Sequence, residues 1–442
     1  MINKVYKLKI SILIILKCLI FLAFCSSFII IARINYPFNK FFSINLGTTG
    51  STYSVLFLVF GYIYDGFKLG ENKISDSLYS LNLAGLMALI FTYFQLCILF
   101  NTWFLNPIPF LIAAISNVAI SLISSISFTY FYDKFYPPKN TVIVYSDKTN
   151  INSLMAKINN RPDKYIVKNL IYMNQNLNTV FNIIKDCDLV ILCQLEPQYR
   201  KKIIHYCYKK TISVIFLPSV SDIIIHKSEF NQIVDLPFLT CYFKGLSIEQ
   251  KIIKRIIDLI IGSFILTLTF PIWTIAAIFI KLYDGGPIIF SQQRVTINNK
   301  VFNLYKFRSM IINAEQDGIA RLASKNDKRI TPIGKIIRML RIDELPQIIN
   351  ILKGDMSIVG PRPERPEIIQ QYIIEHPSFE YRTKVKAGIT GFAQIHGRYN
   401  TPPIDKLIMD LMYIESYSVL LDLKLMFQTI KVIFIPESSQ GL

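Results

Sequence analysis

Residues 256–280 read IIDLIIGSFILTLTFPIWTIAAIFI, an apolar run that decides on which side of a membrane the rest of the chain lies. The run exceeds the roughly 20 residues that a membrane-spanning helix needs. Pro271 stands near its middle, where proline removes a backbone hydrogen bond and kinks a helix. Lys254 and Arg255 precede the run, Asp258 lies near its start, and further basic residues follow it.

Positive flanks favour the cytosol, so both ends of this run favour the same side of the bilayer. The pattern therefore predicts a re-entrant helix over about 254–282, a helix-break-helix hairpin that enters the inner leaflet and returns. The alternative is a plain spanning helix that tolerates the proline. That alternative would place the carboxyl-terminal part of the chain outside the cell.

Four more apolar runs occupy the first third of the chain, and each approaches or exceeds the length of a membrane span. They cover about Ile10 to Ala32, Ile44 to Tyr64, Leu81 to Phe100 and Ile108 to Phe131. A hydrophobic content of 52% and a mean hydropathy of +0.39 agree with a membrane protein. We therefore predict four transmembrane helices in residues 1–135. Lysines before the first run and between the second and third favour a cytosolic amino terminus, so an even number of spans returns the chain to the cytosol.

Residues 136–250 show a different pattern, in which short β-branched runs alternate with polar helical stretches. The runs at 141–145, 188–192 and 212–216 predict a parallel sheet in a Rossmann-like α/β domain. A dinucleotide site would need glycines directly after the first strand. Residues 146–151 contain none, so we interpret this domain as a structural or regulatory module.

The formal net charge of +18 suits an anionic partner. Nucleic acid is disfavoured because no recognition motif accompanies the charge. Residues 294–341 carry eleven Lys or Arg against three acidic residues, which suits either the pyrophosphate of a nucleotide or anionic lipid headgroups. All seven cysteines precede residue 251 and form no C-x-x-C pair. In residues 251–442 the two histidines, His376 and His396, fit no compact metal-ligand spacing. Carboxylates are therefore the remaining candidates for chemistry.

Asp343 and Glu344 form an acidic pair in the stretch RIDELPQ, residues 341–347, ahead of a predicted short helix that ends at Gly354. In one interpretation the pair only caps and favours that helix. In the other, one carboxylate attacks phosphorus while its neighbour binds a divalent cation or orients the phosphate. Adjacent side chains diverge by about 100° on a helix, so two different roles are favoured over one shared role.

The region from about Lys254 to Val432 resembles the bacterial sugar transferases known as polyprenyl-phosphate hexose-1-phosphate transferases, or monotopic phosphoglycosyl transferases. The matching elements follow one another in order: Lys254-Arg255 with Asp258, Pro271, Gly286-Pro287 with Phe290, Gln293-Arg294, Lys306-Phe-Arg308, Thr331 with Gly334 and Arg338, Asp343-Glu-Leu-Pro-Gln347, Gly354-Asp-Met-Ser357, Gly360-Pro-Arg-Pro363, Gly388-Ile-Thr-Gly391 and Gly397-Arg398. Four preceding spans and an α/β domain resemble the large subgroup of this family. Thr296, Asn299 and Ala387 depart from the usual pattern in loops rather than at reacting groups.

The resemblance implies that Asp343 attacks the β-phosphate of a UDP-sugar, releases UMP and forms an aspartyl-phosphosugar intermediate, from which undecaprenyl phosphate takes the phosphosugar. It further implies that Glu344 holds Mg²⁺ and that substrate phosphates and nucleotide contact five basic residues: Lys306, Arg308, Arg338, Arg362 and Arg398. The expected fold combines the transmembrane helices and α/β domain with a mainly α catalytic domain over 251–442, on the cytosolic face of the bacterial inner membrane. A homodimer is the expected assembly. The product would initiate an exopolysaccharide, a capsule or an O-antigen, and the sugar stays open.

Two other functions bear on the same features. A membrane scaffold or regulator without catalysis would have no use for an intact Asp343–Glu344 pair among cations. A membrane-bound nucleotide-sugar dehydratase would require the glycine-rich turn that residues 146–151 lack.

Overall fold

The computed structural model describes residues 2–36, 42–174, 176–241, 245–312, 327, 329–398 and 401–433. Contacts divide the chain into two compact units, Met1–Leu217 and Pro218–Leu442. Part of the basic window at 294–341 and the loop between the first two apolar helices lie outside the described residues.

The first unit begins with four long apolar helices. They are α1 (Ile2–Asn35), α2 (Phe42–Ile63), α3 (Ile74–Leu99) and α4 (Ile108–Phe135). Helix α1 packs against α2 and α4, and α3 packs against the same two helices. Within the described residues, five helices are long and apolar enough to cross a membrane, these four and one in the second unit. The protein is thus a helix-rich membrane protein, and the predicted count of four spans stays a prediction.

Polar side chains inside these apolar helices bond to one another. The Tyr53 hydroxyl and the Asn117 amide are both buried and lie 3.2 Å apart. Ser27 and Ser116 join α1 to α4 through their hydroxyl oxygens, which are 2.8 Å apart. Because a hydrocarbon environment offers no water to an unpaired polar group, such pairs specify how the helices pack.

A four-stranded parallel sheet completes the first unit. Its elements in chain order are β1 (Lys139–Tyr145), α5 (Lys148–Asn159), β2 (Tyr165–Tyr172), α6 (Leu177–Ile184), β3 (Leu189–Cys193), α7 (Pro197–Lys210) and β4 (Ser213–Phe216). The strand order is β2-β1-β3-β4, a doubly wound order of the flavodoxin type. The predicted parallel sheet is confirmed. Strand β2 was missing from the prediction because it is an edge strand with mostly exposed side chains, so it lacks the continuous apolar run of a buried strand.

The second unit starts with α8 (Val220–His226) and an antiparallel pair, β5 (Glu229–Ile233) and β6 (Leu236–Thr240). The remaining elements are α9 (Ile248–Asp284), β7 (Ile289–Val295), β8 (Val301–Phe307), α10 (Pro332–Met339), α11 (Gln347–Lys353), β9 (Ser357–Val359), α12 (Pro366–Glu375), β10 (Gly388–Thr390), α13 (Phe392–His396), α14 (Pro403–Glu415) and α15 (Val419–Ile433). Residues 218–250, which the sequence pattern assigns to the α/β domain, fall in this unit, where Ile223 joins the core around Leu411. The antiparallel ribbon β7–β8 lies in the segment 251–442 that the sequence predicts as a mainly α domain.

Helix α9 contains the apolar run and continues without interruption past Pro271, so the helical break predicted at this proline is absent. A capping box between Ser247 and Gln250 begins it, and Gly285, with a φ of 68°, ends it. Left-handed backbone of this kind favours glycine.

The first half of α9 is anchored to the second unit by polar contacts. Lys254 Nζ forms a buried ion pair with Asp422, and Asp258 Oδ1 accepts hydrogen bonds from Ser357 Oγ at 3.0 Å and from the Ile358 N–H at 2.9 Å. Arg255 donates to the carbonyls of Ile351 and Leu352 at the end of α11. Burial and pairing of these charges explain why an apolar segment begins with them.

The second half of α9 packs against the same unit. Trp273 makes an edge contact with Phe307, at a ring-centroid distance of 5.4 Å. Ala276 and Ile280 belong to a small core with Phe307 and Ile337. The intervening stretch is largely uncovered, with side chains such as Phe264, Leu268 and Phe270 exposed.

Candidate active site

Asp343 and Glu344 lie in a 3₁₀ turn, Ile342–Glu344, between α10 and α11. The residue at the N-cap of α11 is Pro346, which makes no side-chain capping bond, and Gly354 with a φ of 92° ends the helix. The helix-cap interpretation of Asp343 is therefore wrong. Arg341 enters the turn with a φ of 54°, a left-handed conformation that costs a non-glycine residue free energy and is concentrated at functional sites.

The buried side chain of Asn350 aligns α11 with strand β8. Its Oδ1 accepts the Tyr305 N–H at 3.0 Å, and its Nδ2 donates to the Asn303 carbonyl at 2.8 Å. A helix side chain thus satisfies two backbone groups of a strand. As a result Lys306, the next residue along β8, reaches Glu344 with 3.2 Å between Nζ and Oε1.

Glu344 is surrounded by three cationic side chains. Besides Lys306, the Arg362 guanidinium lies 3.4 Å from Oε1 and the Arg341 guanidinium 3.8 Å from Oε2. Burial opposes ionisation of this carboxyl, but Lys306, Arg362 and Arg341 outweigh it and lower the pKa of Glu344 to about 2. Glu344 is therefore a permanent anion at neutral pH.

Asp343 is buried, with 9% of its surface exposed. Burial, followed by repulsion from Glu344, raises the pKa of Asp343 to about 6, against the attraction of Lys306, Arg338 and Arg341. Two adjacent carboxyls thus have widely separated pKa values. Such a separation is typical of sites in which neighbouring carboxyls do different chemical work.

Of the five predicted phosphate contacts, the structure brings Lys306, Arg338 and Arg362 to the acidic pair. Arg338 Nε donates to Ser309 Oγ at 2.8 Å, and its charge acts on Asp343. Arg308 instead is 8% exposed and forms an ion pair with Asp284 at the end of α9. Arg398 lies exposed after α13, where its backbone N–H donates to Thr401. The substrate roles of all five remain predictions.

The Gly360-Pro-Arg-Pro363 turn presents Arg362 to Glu344, and close backbone contacts hold it. The Gly360 N–H donates to the Thr390 carbonyl, and the Gly388 N–H donates to the Pro361 carbonyl at 2.9 Å. A Cβ on Gly388 would lie 2.1 Å from the Gly360 nitrogen. The close approach of the backbone at Gly360 and Gly388, where β9 pairs with β10, therefore excludes side chains for steric reasons.

Several residues around the site were not among the predicted site residues. Arg341 had a local signal, since it stands three positions before Glu344, where side chains meet on a helical turn. Asp284, Arg382 and Asp410 had none, because they reach the site region only through the tertiary fold.

The fold and the site define a membrane protein whose apolar helix is joined to a domain that carries an acidic pair among cations. The family model described as bacterial sugar transferase matches residues 249–436. The chain is 44% identical over 184 residues to a UDP-N-acetylgalactosamine-undecaprenyl-phosphate N-acetylgalactosaminephosphotransferase of Aeromonas hydrophila, covering 41% of this chain and 43% of the relative. It is 38% identical over 235 residues to the UDP-glucose:undecaprenyl-phosphate glucose-1-phosphate transferase of Escherichia coli K12, covering 52% and 50%.

A third relative, the uncharacterized sugar transferase EpsL of Bacillus subtilis, is 40% identical over 189 residues, which cover 43% of this chain and 91% of that protein. The chain thus belongs to the bacterial sugar transferase family, as its motifs predict. It spans about half the length of the first two relatives, and the family match lies in the second unit together with all the predicted site residues.

Proposed function

We propose that this protein transfers a sugar-1-phosphate from a UDP-sugar to undecaprenyl phosphate and releases UMP, as an initiating step of surface polysaccharide synthesis. The observation that carries the proposal is the geometry of the acidic pair: Lys306, Arg341 and Arg362 surround Glu344, while Asp343 lies buried beside it. This geometry gives the two carboxyls opposite pKa shifts. An ordinary surface acidic pair would have two similar, low pKa values. This pair has one carboxyl of raised basicity and one fixed anion among cations.

Asp343 is the proposed nucleophile. One of its carboxylate oxygens attacks the β-phosphorus of the donor, the bond from that phosphorus to the oxygen of UMP breaks, and UMP leaves. A phosphate oxygen of undecaprenyl phosphate then attacks the same phosphorus and releases the Asp343 carboxylate. A raised pKa makes a carboxylate more basic and hence a better nucleophile, while still leaving it mostly ionised at neutral pH.

The cations around the pair would neutralise the donor diphosphate. Lys306, Arg338 and Arg362 are the proposed phosphate contacts, since arginine and lysine bind phosphate oxygens through charge-assisted hydrogen bonds. Arg308 would act from one layer further out, because its guanidinium already pairs with Asp284. Arg398, which is exposed, remains a proposed nucleotide contact.

Glu344 would hold a Mg²⁺ ion together with phosphate oxygens of the donor. Within the described part of the chain no group of three or more metal-ligating side chains occurs. Glu344 with the phosphate oxygens of the donor nevertheless fits magnesium in nucleotide sites, where one or two carboxylates and substrate phosphates suffice. When bound, the ion would offset negative charge on the diphosphate, and Lys306 and Arg362 would then turn from Glu344 to the phosphates.

The position of α9 supports a re-entrant helix and a site at the cytosolic membrane surface. Both halves of α9 pack against the second unit, through Asp258 and Arg255 on one side of the proline and through Trp273 and Ile280 on the other. The uncovered stretch, 263–272, would extend only about 15 Å as a helix, half of the roughly 30 Å hydrocarbon core. A helix that crossed the bilayer would have its two ends on opposite faces, whereas one globular unit holds both ends of α9.

The relatives' names include glucose and N-acetylgalactosamine as the transferred sugars, so the donor is best found by a screen. Purified full-length protein in lipid nanodiscs would be incubated with undecaprenyl phosphate and individual UDP-sugars, and UMP release and sugar transfer to lipid would be measured. We expect one donor, or a few, to give Mg²⁺-dependent release. Absence of UMP release with every UDP-sugar would overturn the proposal.

Asp343→Asn and Glu344→Gln should each abolish turnover without loss of membrane insertion. Asp405→Asn is the matched control, because it removes a carboxylate of the same unit from the first turn of α14, a helix that supplies none of the cations paired with Glu344. It should retain activity. Normal turnover in Asp343→Asn would exclude it as the nucleophile.

A further inference from the structure

The main chain of residues 361–364 is held at each of its four carbonyl groups. Backbone amides take two of them: the Gly388 N–H donates to Pro361, and the Val295 N–H donates to Glu364 at 3.1 Å. Arginine side chains take the other two, since Arg382 Nη2 donates to the Arg362 carbonyl at 3.0 Å and Arg294 Nη1 donates to the Pro363 carbonyl at 3.2 Å. A loop without its own secondary structure is thereby fixed as firmly as a strand.

Arg382 is the more deeply buried of the two arginines. It lies in the 3₁₀ segment Pro377–Lys384 and is 4% exposed. The same nitrogen that donates to the Arg362 carbonyl lies 2.8 Å from Asp410 Oδ2 on α14, which is 1% exposed. Asp410 Oδ2 makes no hydrogen bond among the described residues, so this contact is an ion pair. The charge of Asp410 therefore holds the guanidinium that in turn holds the backbone of Arg362.

Stability alone does not account for this pair. Burial raises the pKa of Asp410 to about 6 in spite of the neighbouring Arg382 charge, so desolvation outweighs the attraction. Arg382 Nη1 has no hydrogen-bond partner among the described residues. Buried ion pairs are often no more stabilising than apolar side chains of similar size, which leaves the hold on the Arg362 carbonyl as the distinctive contribution of Arg382.

We propose that Arg382, fixed by Asp410, is a positioning residue that holds the main chain at Arg362. The Arg362 guanidinium is thereby kept beside the acidic pair, within reach of both Glu344 and the donor phosphates. The chain of contacts runs from α14 through Arg382 to the turn at 360–363 and ends at the acidic pair. This inference deepens the proposed function. Its predicted effect on UMP release rests on the proposed function, whereas its predicted effect on amide exchange is independent of it.

The structural consequence is measured by hydrogen–deuterium exchange in the protein without substrates. The most informative variant is Arg382→Met/Asp410→Leu, because replacing both charges by apolar side chains avoids leaving one charge buried alone. We expect this variant to stay folded, with a melting temperature lowered only by the loss of the hydrogen bond to the Arg362 carbonyl. The amides of Val295 and Gly388, which bond to the held turn, should exchange about tenfold or more faster than in the wild-type protein.

Arg255→Met is the matched control. Arg255 likewise donates to two backbone carbonyls, at 2.6 Å and 2.8 Å, but those of Ile351 and Leu352 in α11. Its loss should leave exchange at Val295 and Gly388 unchanged. Wild-type exchange at both amides in a well-folded Arg382→Met/Asp410→Leu protein would overturn the proposal.

The catalytic consequence is measured by a double-mutant cycle on UMP release at subsaturating UDP-sugar. Arg362→Ala alone should lower kcat/KM about 100-fold, as for loss of a group that stabilises phosphate charge. Arg382→Met/Asp410→Leu should lower it about tenfold, yet should have almost no further effect in the Arg362→Ala background, because the positioned side chain is already absent. Arg255→Met should reduce both backgrounds by the same factor.

If Arg382→Met/Asp410→Leu lowered kcat/KM by the same factor with and without Arg362→Ala, Arg382 would have a merely structural role. That result would overturn the proposal. If the wild-type protein released no UMP from any UDP-sugar, the proposed function would fail while the exchange experiment still decided the positioning role. The two failures are therefore distinguishable.

Discussion

Asp343 and Glu344 are neighbours in the chain, but their surroundings give them opposite acid–base behaviour. Glu344 points at Lys306, Arg341 and Arg362, whose charges keep it ionised. Asp343 is buried beside that fixed anion, so its own ionisation is disfavoured. Side chains of adjacent residues diverge, and here the divergence separates a basic carboxylate from an anion suited to a cation.

The first prediction concerns the pH dependence of transfer. Because Asp343 must be ionised to attack and its pKa is raised to about 6, kcat/KM should rise with pH through about 6 and then level off. At pH 5 it should be about tenfold below the plateau, the fraction ionised one unit below a pKa. UMP release over pH 4.5 to 8 measures this profile, and a rate that stays constant down to pH 5 would contradict it.

The second prediction concerns stability. The folded state binds a proton at Asp343 more tightly than the unfolded state does, so its ionised form opposes folding above pH 6, and this cost disappears as the pH falls below about 4. Asp343→Asn removes the charge and should therefore stabilise the protein at pH 7.5 by roughly 2 to 3 kcal/mol. The gain should vanish near pH 4.

Melting temperatures of the purified full-length proteins check this expectation. Asp327→Asn is a control of opposite sign, because the Arg329 hydrogen bond lowers the pKa of Asp327 to about 2. That substitution should lower the melting temperature at pH 7.5. A fall in melting temperature for Asp343→Asn at the same pH would show that ionised Asp343 does not oppose folding.

At the scale of elements, the site depends on how α11, β8 and the parallel pair β9–β10 are joined. Asn350 ties α11 to β8 with two hydrogen bonds to the strand backbone. The turn with Arg362 follows β9, where Gly360 lies close to Gly388 of the paired strand β10. Lys306 and Arg362 thus reach one carboxylate from two separate elements.

The third prediction tests the joint between α11 and β8. Asn350→Leu would leave the part-buried Tyr305 N–H and Asn303 carbonyl without these partners, at a cost of about 2 to 4 kcal/mol for the two groups. Loss of the β8 alignment should also reduce transfer, because Lys306 would no longer be held at Glu344. Melting temperature and UMP release measure the two effects.

Asn303→Ala is the control for that experiment. It changes an exposed side chain of the same strand and leaves the Asn303 carbonyl in place, so its effect should stay within about 0.5 kcal/mol. Equal stability of Asn350→Leu and the wild-type protein would contradict the claim that the Asn350 hydrogen bonds hold α11 to β8.

At the scale of the whole molecule, the acidic pair lies in the second unit, as do Lys306, Arg341 and Arg362, the cations that contact Glu344 among the described residues. The first unit contributes apolar helices and a parallel sheet. Helix α9 is the apolar part of the second unit, and its two halves pack against that unit. The site is thus built within one globular body that has its own membrane segment.

The fourth prediction is the sidedness of the carboxyl terminus. A reporter fused after Leu442 should be cytosolic, because the proposed re-entrant α9 would enter and leave the bilayer on one side. A fusion truncated after Tyr36 should report the opposite face, since one apolar helix precedes it. Periplasmic exposure of the carboxyl-terminal reporter would exclude re-entry and support a spanning α9.

The apolar runs, the parallel sheet, the acidic pair and the family were all readable from the sequence. Each is encoded locally, by run length, by alternation of β-branched and polar stretches, or by short ordered motifs. Edge strand β2 and the ribbon β7–β8 were missed, because partly exposed strands lack a continuous apolar signal. Their formation depends on partners elsewhere in the chain.

Only the tertiary structure decided which charges meet. Lys306 and Arg362, 38 and 18 residues from Glu344, converge on it, whereas Arg308 pairs with Asp284 and Arg382 with Asp410. The sequence shows that a residue is charged, but its partner is set by the packing of distant elements. Because burial and the nearest opposite charge determine a pKa, the division between a basic Asp343 and an anionic Glu344 exists only in the folded protein.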